Sequence, residues 1–140
     1  MSDLYERDFY AWSNEQATLL RAGNLAAADI AHIAEEIESM GRSEKRELVS
    51  RLTVLLLHLL KWRYQTERRS RSWELSIDNS RFALVKHLAD NPSLKASLTE
   101  ALETAYYTAR RDAAIETGMP LETFPADCPW TFEQAMQDAA

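Results

Sequence analysis

The chain has 140 residues, of which 46% are hydrophobic and 27% are charged, and its formal net charge at pH 7 is −6. This length suits one ordinary domain, and the apolar share is sufficient for a packed core without disulfides or a structural metal. Three glycines and four prolines are too few for a turn-rich β-sandwich. The single cysteine, Cys128, excludes an internal disulfide and indicates a reducing compartment.

The sequence shows no signal for export or membrane insertion. Three acids lie within the first eight residues and no apolar run follows them, so no signal peptide is predicted. The longest apolar stretch, residues 52–60, is far shorter than the ~20 residues that span a bilayer. We therefore predict a cytoplasmic protein without a membrane partner.

Charge is distributed unevenly along the chain. Residues 1–41 have a net charge of −6, residues 42–71 of +6, and residues 72–140 of −6. The basic middle either offsets its acidic neighbours within the fold or forms a docking patch for an anion or an acidic partner.

The first half of the chain predicts three helices. The first covers residues 3–22 and ends at Gly23, and the second covers residues 25–40 and ends at Gly41, because glycine readily adopts the left-handed conformation that ends helices. The third covers residues 43–64 and is apolar over most of its circumference, which is typical of the central helix of a bundle. We therefore predict that Leu55 and Leu56 are buried.

The second half predicts two more long helices and a short one. Residues 65–71 lack apolar side chains and form a connection, and a fourth helix covers residues 72–90. Asn91-Pro92 starts a fifth helix that ends at Gly118. Residues 119–130 contain three prolines and are predicted to form a non-helical strap that packs on the bundle. Thr131 to Gln134 match a capping box that opens a last short helix. The predicted fold is all-α, a single domain over residues 1–140 with five main helices and a short C-terminal one.

The densest polar group lies on the second predicted helix, and it consists of His32, Glu35, Glu36 and Glu38. If the second and third helices pack as an antiparallel pair, Glu36 meets His58 near the core. Carboxylate-bridged metal sites in bundles use a Glu-x-x-His spacing, but no glutamate stands three residues before any histidine here. A structural His–Glu hydrogen bond is therefore favoured over a metal site, and no cofactor is predicted.

A basic and aromatic segment covers residues 61–73, with five bases among three aromatic side chains. Such segments suit phosphates and stacked bases, but an acidic protein lacks the positive charge from which nucleic-acid affinity largely comes. Structural tryptophans with solvated arginines are the favoured interpretation. No nucleophile motif is present, and Cys128 has no nearby histidine in sequence, so we predict that its thiol is unreactive.

Several segments resemble the bacterial Domain of Unknown Function 29 family. They are YERDFYAW at residues 5–12, IAEEIESMGRSE at 33–44, HLLKW at 58–62, Ser72-Trp73 with Ile77 and Arg81, and NPSL at 91–94. The resemblance implies a small all-helical bundle from a bacterial cytoplasm, without an established activity. It highlights these positions without assigning them roles: Glu35, Glu36, His58, Lys61, Trp62, Trp73 and Arg81.

Three functions follow as hypotheses. The first is a non-enzymatic protein-interaction module, whose partner is another protein or a second copy of the chain. The second is a metal- or small-ligand-binding bundle that uses Glu36 and His58. The third is weak nucleic-acid contact through residues 61–71. One observation separates them best, the convergence on a solvent-reachable cavity of Glu35, Glu36, His58, Lys61 and Arg81. Such convergence favours the second hypothesis, and a flat apolar surface shared between two copies favours the first.

Overall fold

The computed structural model describes residues 3–137, and all regular elements in this range are helical. The α-helices are α1 (Leu4–Arg7), α2 (Phe9–Arg21), α3 (Ile30–Tyr64), α4 (Arg71–Asp90), α5 (Leu98–Thr117) and α6 (Phe132–Gln137). The predicted all-α class is confirmed. The chain divides into two compact units, Met1–Ser43 and Glu44–Ala140. A single domain over residues 1–140 stays a prediction.

The first predicted helix is divided at Asp8. This residue has φ −151° and ψ 84°, outside the helical region, and its carboxylate accepts a hydrogen bond from the Ala11 backbone N–H at 3.0 Å. Asp8 thereby ends α1 and caps α2, as aspartate commonly does at a helix start. The predicted stop is confirmed, because α2 ends at Arg21 and Gly23 has φ +72°.

The second and third predicted helices are one helix of 35 residues, α3, and the break predicted at Gly41 is wrong. Gly41 is helical and has no positive φ. A glycine inside a helix costs only ~1 kcal/mol relative to alanine, which two flanking helix-forming stretches offset. The helix also begins later than predicted, at Ile30, because Asp29 caps it by accepting a 3.4 Å hydrogen bond from the His32 N–H.

The core of the second unit is built on the second half of α3. Leu48, Leu52, Leu55, Leu56 and Leu60 are fully buried, which confirms the prediction for Leu55 and Leu56. The helices α4 and α5 contribute these buried side chains to the same cluster: Ile77, Leu84, Ala105, Tyr106 and Ala109. The prediction that residues 43–64 form the central helical segment holds for this unit.

The ends of α4 and α5 follow local capping chemistry. The Ser70 hydroxyl accepts a hydrogen bond from the Trp73 N–H at 3.2 Å and caps α4. Asn91-Pro92 does not open α5 directly, since a 3-10 segment, Pro92–Ser97, precedes it. Gly118 has φ +72° and ends α5 as predicted.

The strap, residues 119–130, packs on the helices of the second unit as predicted, and its Phe124 and Trp130 are buried in the core. The prediction that it is non-helical is wrong at Leu121–Thr123, which form a short 3-10 helix. The Tyr106 hydroxyl donates a 2.6 Å hydrogen bond to the carbonyl of Pro125. The predicted capping box is also confirmed. The Gln134 N–H donates to the Thr131 hydroxyl at 3.2 Å, and the Gln134 side chain accepts from the Thr131 N–H at 2.9 Å.

Candidate functional site

The predicted pair of Glu36 and His58 does not form. Both residues lie on α3, about six helical turns apart, so the antiparallel pair of helices on which the contact depended does not exist. The His58 ring instead donates from Nδ1 to the Val54 carbonyl at 2.8 Å, one turn earlier. Glu36 accepts a hydrogen bond from the Tyr5 hydroxyl at 3.2 Å, and Glu35 is exposed. Within residues 3–137, no group of three or more His, Cys, Asp or Glu side chains could hold a metal ion.

The basic and aromatic segment is largely occupied by contacts within the second unit. Lys61 donates to Glu116 at 3.0 Å and its ammonium lies 4.9 Å from the centre of the Trp73 ring. The Arg69 guanidinium lies 4.8 Å from the centre of the Trp62 ring, and its Nε donates to the Trp62 carbonyl at 2.7 Å. Such cation–π contacts contribute to the stability of the folded chain.

Arg81 contacts the C-terminal helix of the second unit. Its Nε donates to the carbonyl of Ala135 at 3.0 Å, which joins α4 to α6. The structure therefore brings Lys61 and Trp73 together but does not gather the highlighted residues of the second unit around one cavity.

A polar and aromatic cluster forms in the first unit. The Tyr5 ring stacks on the His32 ring with centroids 3.9 Å apart. The His32 Nδ1 lies 2.7 Å from Asp29 Oδ2, and the Trp12 indole N–H donates to the same oxygen at 3.0 Å. With the bond from Tyr5 to Glu36, each polar side chain of the cluster has a partner.

The electrostatics of this cluster follow from the short bond between His32 and Asp29. The hydrogen bond raises the pKa of His32 above its usual value, against the opposing effect of desolvation. The same bond lowers the pKa of Asp29. The pair therefore favours an imidazolium paired with a carboxylate. His32 and Asp29 contact each other and also Tyr5 and Trp12. The arrangement therefore fits a structural role, in which these contacts join α1 and α2 to α3 within the first unit.

An apolar face of α3 is exposed in its first half. Ile30 is 52% exposed, Ile37 is 58% exposed and Met40 is 62% exposed. At 100° per residue, Ile30 and Ile37 lie within about 20° of the line that continues to Leu48 and Leu55. Leu48 and Leu55 are completely buried. The same side of α3 is thus buried in the second half of the helix and exposed in the first half. We call Ile30, Ile37, Met40 and Gly41 the exposed α3 face.

A cleft of about 1030 Å³ lies in the second unit between α5 and the C-terminal segment. Its walls include Leu102, Tyr106 and Arg110 of α5, and Trp130 and Phe132 across the opening. The cleft combines apolar and aromatic surface with charges of both signs, as many small-molecule sites do.

Cys128 also lines this cleft. Burial raises the pKa of its thiol, and Sγ lies 3.3 Å from the Trp130 carbonyl. A thiol held in its protonated form is a poor nucleophile, which supports the prediction that Cys128 is unreactive.

Sequence reasoning missed three features. The link between Asp29 and His32 has a readable signal, since an aspartate three residues before a histidine fits a helix start with a capping carboxylate. The stacking of Tyr5 on His32 has no local signal, because the two residues are distant in sequence. The cleft depends on how the strap returns across α5, which no short motif encodes.

A family model described as Domain of unknown function DUF29 matches residues 4–139. No curated protein and no solved structure matches the chain significantly. Within residues 3–137, no helix combines the length and the apolar character needed to cross a membrane.

Proposed function

The chain belongs to the DUF29 family, a family of unknown function, and we propose that this member is a protein-interaction module that binds its partner through the exposed α3 face. The observation that carries the proposal is the contrast along one side of α3. Leu48 and Leu55 are fully buried, whereas Ile30 and Ile37 on the same side are more than half exposed.

Two further properties of the first unit support this function. Among its described residues only Trp12 and Gln16 are buried, so the unit has little core of its own. Leu20 of α2 and Leu25 are also exposed, at 41% and 61%. Apolar side chains exposed in this way favour the binding of a partner, because covering them removes apolar area from water at ~25 cal/mol per Å².

The test is site-specific photocrosslinking in cells, with a photoreactive amino acid at position 37. We expect a covalent adduct with a partner from this position. The matched control is position 85, because Val85 is also an exposed apolar residue on a long helix, at 60% exposure, but lies on α4. Absence of an adduct from position 37, or equal adducts from both positions, would contradict the proposal.

The cleft carries a second candidate function, the binding of a small amphipathic molecule. Its volume reaches the upper end of the ~300–1,000 Å³ range of ligand pockets, and aromatic and charged side chains line it together. A library screened by thermal shift should contain compounds that raise the melting temperature, since a ligand that binds only the folded state stabilises it.

The variant Thr99→Trp provides the control for this screen. Thr99 is exposed and lines the cleft, so a tryptophan there fills the space without entering the core. Compounds that bind in the cleft should lose their thermal shift in this variant. Shifts that persist would place the compounds elsewhere and contradict the second candidate.

A further inference from the structure

We propose that the cleft of the second unit binds a fatty carboxylate, with its carboxylate on Arg110 and its unbranched chain along α5. This assignment rests on the second candidate function, since it names the chemical class of the amphipathic molecule in the same cleft. The feature that carries it is a single arginine at the end of an apolar row of side chains.

One row of side chains on α5 forms the inner wall of the cleft. Every fourth residue along this wall shares one ridge of the helix, and the residues of the ridge are Leu98, Leu102, Tyr106 and Arg110. Leu102 and Tyr106 are buried, and Leu98 is partly buried against the core. At 1.5 Å per residue, Arg110 lies about 18 Å from Leu98 along the helix axis. The inner wall is thus an apolar strip that ends in a cation.

The strap forms the opposite wall and runs against the direction of α5 at this point. The Phe124 carbonyl accepts a hydrogen bond from Arg110 Nε at 3.2 Å. The next carbonyl, that of Pro125, accepts from Tyr106, one turn earlier on α5. Trp130 and the following Phe132 add aromatic surface to the cleft. Two walls with apolar surface suit an unbranched chain, because such a chain can be covered from both sides along its length.

Arg110 is the only partly buried charged residue among the described residues that line the cleft. The other charged residues of its walls are exposed, and they are Lys95, Glu103, Arg111, Asp127 and Glu133. Water and salt screen exposed charges, so these residues attract or repel a bound molecule only weakly. Arg110 therefore dominates the charge that a ligand meets inside the cleft.

The guanidinium of Arg110 is held in place and still has donors for a ligand. Its Nε donates to the Phe124 carbonyl, and among the described residues it has no acidic partner. By contrast Lys61, another partly buried cation of this unit, pairs with Glu116 at 3.0 Å. An arginine whose Nε is engaged presents its two terminal nitrogens side by side, an arrangement that can bind both oxygens of one carboxylate. Arg110 thus offers an anion site that the described chain does not fill.

Isothermal titration calorimetry of the full chain with decanoate tests the proposal. We expect saturable binding with a dissociation constant in the micromolar range. Decylamine has the same chain with a cationic head, and it should bind at least about tenfold more weakly because it meets Arg110 instead of pairing with it. Octanoate is shorter by two methylenes and should also bind about tenfold more weakly than decanoate, because each methylene buried in the cleft contributes about fourfold in affinity.

The variant Arg110→Gln tests the contact with the carboxylate. It should weaken decanoate binding by about tenfold or more, because charge-assisted hydrogen bonds are lost, and it should not weaken the binding of decylamine. The matched control is Arg111→Gln, which removes the same charge from an exposed neighbour whose Nε lies 3.7 Å from Asp112. The control should change the affinity for decanoate by about twofold at most. Equal losses in the two variants would mean that only overall charge attracts decanoate, and would contradict the contact.

A measurement on the wild type keeps the proposal testable if Arg110→Gln disturbs the strap by losing the bond to Phe124. In NMR spectra of the complex, the protons next to the carboxylate of decanoate should show nuclear Overhauser effects to the Arg110 side chain. The terminal methyl group should show them to Leu98 or Leu102. The reverse orientation, or the absence of contacts with these residues, overturns the proposal.

The binding results separate the ligand class from the cleft function on which it rests. Absence of decanoate binding up to about 1 mM, or equal binding of decylamine, overturns the fatty carboxylate. If compounds from the thermal-shift screen then bind and lose their shift in Thr99→Trp, the cleft remains a small-molecule site for a different class of ligand. If no compound binds, both the ligand class and the cleft function are overturned.

Discussion

The histidine of the first unit shows how one short contact can determine a protonation equilibrium. The His32 ring lies against Tyr5, and its Nδ1 is 2.7 Å from Asp29. This bond raises the pKa of His32 and lowers that of Asp29. His32 therefore stabilises the folded state fully at pH values below its unfolded pKa of ~6.5, and this contribution is lost as pH rises through its folded pKa. The contribution of Asp29 is present above its unfolded pKa of ~3.9 and is lost as pH falls through its lowered folded pKa.

Titration by NMR should place the pKa of His32 above the ~6.5 of a free imidazole. In Asp29→Asn the acceptor charge is absent, so the pKa of His32 should fall relative to the wild type. An unchanged pKa in this variant would mean that the carboxylate does not hold the imidazolium. Since Asp29 also accepts from the Trp12 indole, circular dichroism should confirm that the variant keeps its helices.

A leucine at the centre of the second unit tests the packing at the same scale. Leu56 is completely buried, so Leu56→Ala should lower the free energy of unfolding by ~2–5 kcal/mol, the range for large-to-small changes in packed cores. Val54 lies on the same helix but is 41% exposed, and Val54→Ala should cost much less. Urea denaturation of both variants measures the difference, and equal losses would contradict the central position of Leu56.

At the scale of elements, the sequence predicted the helical content well. It predicted a helix end correctly only where the glycine and its neighbouring residues indicate the same outcome. Gly23 and Gly118 end helices with a positive φ, as predicted, and Gly118 is followed by Met119 and Pro120, which do not favour a continuing helix. Gly41 is followed by Arg42 and a further helix-forming stretch, so the helix continues through it. The glycine signal alone does not decide between the two outcomes, because both are accessible to a residue without a Cβ.

Within the site, too, only patterns local in the sequence could be predicted. The cap at Asp29 and the capping box at Thr131 depend on residues three positions apart, and such local patterns can be identified in a sequence. The contact predicted between Glu36 and His58 failed because it depended on a chain reversal at Gly41 that does not occur. The contacts of Tyr5 and the cleft beside α5 depend on tertiary packing between distant segments.

The hydrogen bond between α5 and the strap provides a prediction at this scale. Burial raises the pKa of Tyr106 to about 12, so its hydroxyl remains a donor to the Pro125 carbonyl at neutral pH. Tyr106→Phe should lower the free energy of unfolding by ~1–2 kcal/mol, because a partly buried carbonyl loses its donor. The neighbouring Tyr107 is 80% exposed, so Tyr107→Phe should change stability little. Amide hydrogen exchange should be faster in the strap of the first variant only, and unchanged exchange there would contradict the role of this bond.

For the whole molecule, the burial pattern places the hydrophobic core in one part of the chain. The described residues of the main core cluster and the apolar side chains packed on it extend from Leu48 to Met136, all within the second unit. Among the described residues of the first unit, none belongs to that cluster, and the buried ones are Trp12 and Gln16. The two units should therefore differ in their ability to fold alone.

We expect a fragment of residues 44–140 to fold independently, with helical circular dichroism and one cooperative thermal transition, because it retains the whole core cluster. A fragment of residues 1–43 should be largely unfolded as an isolated peptide. Its longest complete helix, α2, has 13 residues, and helices shorter than ~12–15 residues are marginal in water without tertiary packing. An unfolded fragment 44–140 would contradict this expectation and show that the core of the second unit depends on residues 1–43.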